Sequence, residues 1–197
     1  MSLFTDLLRW LVLFAWLSWF VYYWSAGKRA LADFKKAAQA DHPPLDKWLM
    51  GAIGLMFAIL LVSALVINLG AIRIDPALAW LSWPGALLAL GGMGGTLYCR
   101  SVLGRFWTAD TALRSDHQIV DRGPYGLVRH PIYTAVSAQL IGTALVYPIW
   151  IVISAALMAV VAYAVKANLE DDYLAQHLPG YEGYRQRVKY RLVPGVW

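Results

Sequence analysis

The chain has 197 residues, of which 59% are hydrophobic and 15% charged, whereas soluble domains carry about a quarter charged residues. With a mean hydropathy of +0.51, this composition excludes a water-soluble globular domain, a disordered chain and a coiled coil. The net charge of +5 and pI near 9.4 would suggest nucleic acid in a soluble protein. Here the basic residues flank apolar runs, so they point to an anionic membrane face and to no nucleic-acid partner. A single cysteine, Cys99, excludes an internal disulfide and any CxxC metal or redox site.

A helix needs about 20 mostly apolar residues to cross the hydrocarbon of a bilayer. The first such run is Trp10 to Ala26, extended backwards by Leu3, Phe4, Leu7 and Leu8. It lacks the basic n-region and small-x-small cleavage site of a signal peptide, so it is predicted to be a span. Trp48 to Leu69 and Pro76 to Cys99 follow, both uncharged. Gly91-Gly92-Met93-Gly94-Gly95 falls inside the third run, without the strand a nucleotide loop needs. Small residues there are expected to let helices approach closely.

Pro131 to Val165 is a stretch of 35 uncharged residues, roughly 50 Å as one helix at 1.5 Å per residue. That exceeds the hydrocarbon core, and Tyr147-Pro148 falls near the middle, where proline breaks the hydrogen-bond ladder. The prediction is a tight helical hairpin with arms of about 17 residues. The fold is thus expected to be all-α and integral to the membrane. It has five transmembrane helices, the last two a hairpin, with a cytoplasmic connecting segment and a C-terminal interfacial helix. The whole of 1–197 reads as one membrane domain, with three apolar spans in 1–99 and a catalytic half in 100–197.

Basic residues set the expected orientation. Lys28, Arg29, Lys35, Lys36 and Lys47 follow the first span. Arg100, Arg105, Arg114, Arg122 and Arg129 lie between spans three and four, and Lys166, Arg185, Arg187, Lys189 and Arg191 follow the last. Arg9 and Arg73 fall on the other side. The N-terminus is therefore expected outside and the C-terminus in the cytoplasm.

The thirty residues before the hairpin are long for an idle connection. They hold Trp107, His117, the turn Gly123-Pro124-Tyr125-Gly126 and then Arg129-His130-Pro131-Ile132-Tyr133. Proline suits the first turn of a helix and pushes His130 out of helical geometry. His130 is then expected at the mouth of the hairpin, with free amides, the helix dipole and Arg129 favouring an anion. The plainer alternative is that Arg129 anchors to lipid phosphate and His130 caps the helix. Beyond the hairpin, Lys166 and Glu170 stand four apart on one helical face, as an ordinary ion pair would. Yet Glu170 is one of two glutamates in the chain and lies at the same rim as Arg129 and His130, which points to a site. In the tail, Tyr181, Tyr184 and Val188 share a helical face, fitting an interfacial helix, the roof of a site, or both.

Together these residues resemble the isoprenylcysteine carboxyl methyltransferase family, integral membrane enzymes related to phospholipid methyltransferases. The resemblance runs through Leu103-Gly104, Trp107, His117-Gln118-Ile119-Val120, Gly123-Pro124-Tyr125 and Arg129-His130-Pro131-Ile132-Tyr133. It continues through Glu170-Asp171, Leu174, Tyr181, Tyr184, Val188, Arg191 and Pro194, covering roughly residues 100 to 194. It implies S-adenosyl-L-methionine as cofactor, no metal, and methyl transfer to a lipophilic acceptor in the lipid bilayer, most concretely carboxyl O-methylation. His117, Gln118, Ile119, Val120, Tyr125, His130, Pro131, Ile132, Tyr133 and Glu170 would line the cofactor pocket. Arg129 and Lys166 would steer the acceptor. Lys166 stands where the family tends to place arginine, keeping the charge but losing the bidentate fork. Asp171 stands where a second glutamate is common, and His177-Leu178 where Phe-Gly is usual. Methylation of a phospholipid, amine or thiol on the same scaffold, or a non-catalytic lipid-binding role, are the alternative readings.

Overall fold

The computed structural model describes residues 3–35, 44–107, 113 and 116–197, with 26–35 and 44–47 described by their helical backbone. Lys36 and Arg114, two of the basic residues used for orientation, lie outside the described residues. The chain forms α1 (Leu3–Lys35), α2 (Pro44–Asn68), α3 (Ser82–Leu103), α4 (Pro131–Val146), α5 (Trp150–His177) and α6 (Tyr181–Arg187). There is no strand among the described residues. Four segments are long and apolar enough to cross a membrane, Leu3–Ser25, Trp48–Asn68, Pro76–Phe106 and Trp150–His177; α4 is a shorter apolar helix. The protein is an all-α integral membrane protein.

Each long helix buries a stripe at alternating steps of three and four, as one helical face requires. On α1 the stripe is Thr5, Arg9, Val12, Trp16 and Trp19; on α2 it is Ile53, Phe57, Leu60, Ala64 and Ile67. On α3 the residues are small: Gly85, Ala89, Gly92, Thr96 and Cys99. This face meets Ala135, Gln139 and Gly142 of α4 at backbone contact. A Cβ added at Gly142 would sit 2.3 Å from the Ala89 amide nitrogen, and one at Gly92 2.5 Å from that of Gln139. With no hydrophobic drive between helices in lipid, such close packing is the main attraction available. Within the glycine cluster, Gly92 is the residue at backbone contact. Added methyls at Gly91 and Gly94 would meet open space. Indole–hydroxyl bonds, Trp16 Nε1 to Thr143 at 2.8 Å and Trp19 Nε1 to Thr96 at 2.9 Å, tie α1 to this pair.

The hairpin turns at Tyr147-Pro148 as expected, but its arms are unequal. α4 has 16 residues and α5 has 28, because nothing interrupts α5 before Pro179-Gly180. Tyr147 is wholly buried. Its hydroxyl donates to the Arg9 carbonyl at 2.6 Å and accepts from Asn68 Nδ2 at 3.1 Å, which pins the tip to α1 and α2. The stripe on α5 runs Val152, Ala156, Ala159, Tyr163, Ala167 and Asp171, with Lys166 buried beside it, carrying the buried face from the apolar core into a polar end.

Candidate active site

The polar end is organised around Asp171, which is fully buried. Arg129 grips it as a fork, Nε donating to Oδ1 at 2.8 Å and Nη2 to Oδ2 at 3.0 Å. The Tyr181 hydroxyl donates to Oδ1 at 2.9 Å, and His130 Nε2 lies 3.3 Å from it. Arg191 and Arg185 approach Oδ2 at 3.3 and 3.4 Å. A buried carboxylate is tolerable only with such pairing. Burial alone would lower the Arg129 pKa, but hydrogen bonding to Asp171 and its charge outweigh that and raise it.

Arg129 also donates from Nη1 to the Val188 and Lys189 carbonyls at 2.7 and 2.9 Å. A guanidinium committed in this way holds the tail to the hairpin while still bordering the cavity. The amides of Arg129 and His130 donate to the Tyr190 and Arg191 carbonyls at 2.9 Å each. Thr134 Oγ1 adds a bond to Leu192 O at 2.7 Å. The returning tail thus engages the two backbone amides that immediately precede α4.

His130 has φ −122 and ψ 60, non-helical as the following proline demands. Its ring stacks on Tyr133 with centroids 5.7 Å apart, and Tyr133 packs on Tyr163 at 5.2 Å. The Tyr133 hydroxyl donates to Glu170 Oε2. The two arms of the hairpin are joined at this rim.

These groups border a cavity of about 640 Å³, within the range of small-molecule sites. His117, Gln118, Ile119 and Val120, outside any helix, line it together with Tyr125, Arg129, His130, Ile132, Tyr133, Lys166 and Glu170. Pro131 does not border it; as first residue of α4 it sets the helix start instead. The turn that presents Tyr125 begins at Gly123, whose φ of +59 favours glycine. The Tyr125 carbonyl accepts from the Tyr184 hydroxyl at 2.7 Å. The Tyr125 hydroxyl is buried without a hydrogen-bond partner among the described residues. Burial pushes the Tyr125, Tyr184 and Tyr181 phenols well above their ordinary range, with the charge of Asp171 adding to the shift at Tyr181. All three remain protonated donors.

Tyr181, Tyr184 and Leu178 roof the cavity beside Ile119 and Leu174. The apolar face of α6 therefore points inward. Two features escaped the sequence reading. Asp171 falls four residues after the buried Ala167, itself four after Tyr163, a signal present in the spacing. α1 and α2 supply the apolar end of the cavity through Trp19, Phe20, Tyr23, Trp24, Met50, Ile53, Gly54 and Phe57. Among the described residues no group of three or more His, Cys, Asp or Glu is placed to hold a metal ion.

Apolar helices here enclose a cavity lined by both polar and apolar side chains. Residues 80–179 match the phospholipid methyltransferase family. The chain belongs to that family of integral membrane methyltransferases, which includes the isoprenylcysteine carboxyl methyltransferases. It is 28% identical over 156 residues, 78% of this chain and 70% of the relative, to the nickel-cobalt-cadmium resistance protein NccN of Alcaligenes xylosoxydans xylosoxydans. It is 31% identical over 104 residues, 52% of this chain and 47% of the relative, to the cobalt-zinc-cadmium resistance protein CzcN of Cupriavidus metallidurans.

Proposed function

We propose that the protein transfers the methyl group of S-adenosylmethionine to the carboxylate of a lipophilic acceptor, giving a methyl ester. The observation that carries this reading is that one cavity joins two chemistries. Tyr125, His130, Tyr133, Lys166 and Glu170 line the same cavity as Trp19, Ile53 and Phe57.

The donor set fits the cofactor. The unpartnered, buried Tyr125 hydroxyl has the standing of a group that awaits a ligand, since such groups are costly when left unmade. Glu170, held by Tyr133, offers a carboxylate to amine or hydroxyl hydrogens, and the non-helical 117–120 backbone offers amides and carbonyls. When bound, the cofactor supplies a methyl carbon on a positively charged sulfur. A carboxylate oxygen takes that carbon as the carbon–sulfur bond breaks, leaving a neutral thioether, and no general base is required. Lys166, 2% exposed on the cavity wall, draws the anionic head toward the polar end. Tyr133, Tyr163 and the Tyr181–Tyr184 roof keep water out, and with alignment this can supply several kcal/mol of the rate enhancement. The basic residues concentrated at this end support a cytoplasmic location for it, with the N-terminus outside.

The name of the family favours a second acceptor class, a phospholipid amine. The purified protein in phosphatidylcholine nanodiscs, incubated with methyl-labelled S-adenosylmethionine and a lipid extract, distinguishes them. The proposal expects a base-labile methyl ester. Methylated phosphatidylethanolamine or a thioether would shift the assignment to an amine or thiol acceptor, and absence of any labelled product would make the protein non-catalytic.

A further inference from the structure

We infer that Arg100, in the last turn of α3, is a positioning residue for the cofactor. Its charge holds Trp107 and Tyr23 in place as cavity wall, although Arg100 itself does not border the cavity. This rests on the methyl-transfer reading above.

The Arg100 guanidinium lies in a cage of rings. Its central carbon is 4.2 Å from the centroid of the Trp107 ring, 5.0 Å from that of Tyr22 and 5.6 Å from that of Tyr23. All three fall within the roughly 6 Å over which a cation and a ring face attract. Among the described residues no carboxylate pairs with Arg100, and its Nε is buried without a hydrogen-bond partner. The rings receive its charge instead. They also hold one another: Tyr23 meets Trp107 edge-on at 5.7 Å and stacks on Trp19 at 4.3 Å. The Trp19 indole in turn donates to Thr96, one turn before Arg100 on α3. The cage therefore ties α1, which lies outside the segment matched by the family, to Arg100 and Trp107 within it.

This cage stands directly behind the cavity. Trp19, Tyr23 and Trp107 border it, as does Phe106. Phe106 packs on His117 with centroids 5.0 Å apart, so the chain of ring contacts reaches the start of the lining segment 117–120. Trp107 follows the short turn Gly104–Phe106 and has no helix of its own to fix it. A wall that also samples other arrangements binds more weakly, in proportion to the fraction that is correctly arranged. Arg100 and Tyr22 touch the wall from outside, and an effect of either on binding has to pass through Tyr23 and Trp107.

The test compares wild type, Arg100→Gln, Arg100→Lys, Tyr22→Leu, Trp107→Leu and the pair Arg100→Gln/Trp107→Leu in phosphatidylcholine nanodiscs. Thermal unfolding is followed first, then the Kd for S-adenosylmethionine by calorimetry. Arg100→Gln should raise Kd about tenfold, the worth of a partly buried cation on aromatic rings. Arg100→Lys should stay within about threefold of wild type, because an ammonium keeps the attraction to the rings. Tyr22→Leu, on an exposed side chain, should raise Kd about threefold with the unfolding temperature unchanged. The pair should bind no more weakly than Trp107→Leu alone. Wild-type affinity in Arg100→Gln, equal losses in Arg100→Gln and Arg100→Lys, or additive losses in the pair overturn the inference and leave the cofactor reading standing. Should Arg100→Gln fail to fold, wild-type affinity in Tyr22→Leu or a tenfold loss in Arg100→Lys overturns it, and the two expected values support it. A wild type that does not bind S-adenosylmethionine overturns the methyl-transfer reading and this inference with it.

Discussion

Arg129 and Asp171, 42 positions apart, meet in a buried two-point fork that closes the polar end of the bundle. The fork joins the start of α4 to the end of α5, and through Nη1 it also holds the tail. Arg129→Met leaves Asp171 buried with weaker partners, so a loss of about 3 kcal/mol or more is expected in detergent unfolding. Arg129→Lys, which keeps the charge but not the fork, should lose a large part of that. The pair Arg129→Met/Asp171→Leu should cost less than the sum of the single changes. Simple additivity would show that the fork does not couple the two arms.

The glycines of α3 and α4 divide by contact. Gly142→Val places a side chain against the Ala89 backbone and should destabilise by about 2 kcal/mol or more. Gly91→Ala and Gly94→Ala, with open space beyond them, should leave stability unchanged or raise it by about 0.5 kcal/mol. Thermal unfolding of the three variants checks this. Equal losses at all three would mean that the close approach of α3 and α4 does not decide their packing.

Lys166→Met should lower kcat/KM for a carboxylate acceptor by about 10- to 100-fold, the worth of a charge-assisted contact. Affinity for S-adenosylmethionine should stay within about twofold of wild type by the same scale. If cofactor affinity falls instead, Lys166 belongs to the cofactor end and the acceptor is held elsewhere.

Orientation can be read from accessibility. In a Cys99→Ser background, Arg73→Cys should react with an impermeant maleimide in intact cells. Tyr190→Cys should react only after permeabilisation. The reverse pattern would invert the topology.

Much of the architecture was legible because membrane crossing imposes strong local rules. Uncharged length marked the spans, and Tyr147-Pro148 marked the hairpin since proline cannot continue the ladder. The geometry of His130 followed from Pro131 alone. What stayed hidden depends on chain return. The amides of Arg129 and His130, just before α4, have no partner in any local reading and gain one only when Tyr190 and Arg191 fold back on them. Arg129 looked available for the same reason. Asp171 read as one of several acidic residues after the last span, although its spacing of four from Ala167, itself four from Tyr163, already placed it on the buried stripe. The share of α1 and α2 in the cavity wall leaves no local mark, because lipid-facing and cavity-facing apolar residues are chemically alike.

The central claim, that the joined ends of α4 and α5 hold S-adenosylmethionine, is tested most directly by calorimetric titration of the cofactor into wild type, Tyr125→Phe, His130→Ala and Glu170→Ala. Wild type should bind. Glu170→Ala and His130→Ala should each weaken binding about tenfold or more, and Tyr125→Phe by several-fold, in line with lost hydrogen bonds to a buried ligand. Absence of binding by wild type, or unchanged affinity in both Glu170→Ala and His130→Ala, would contradict the account.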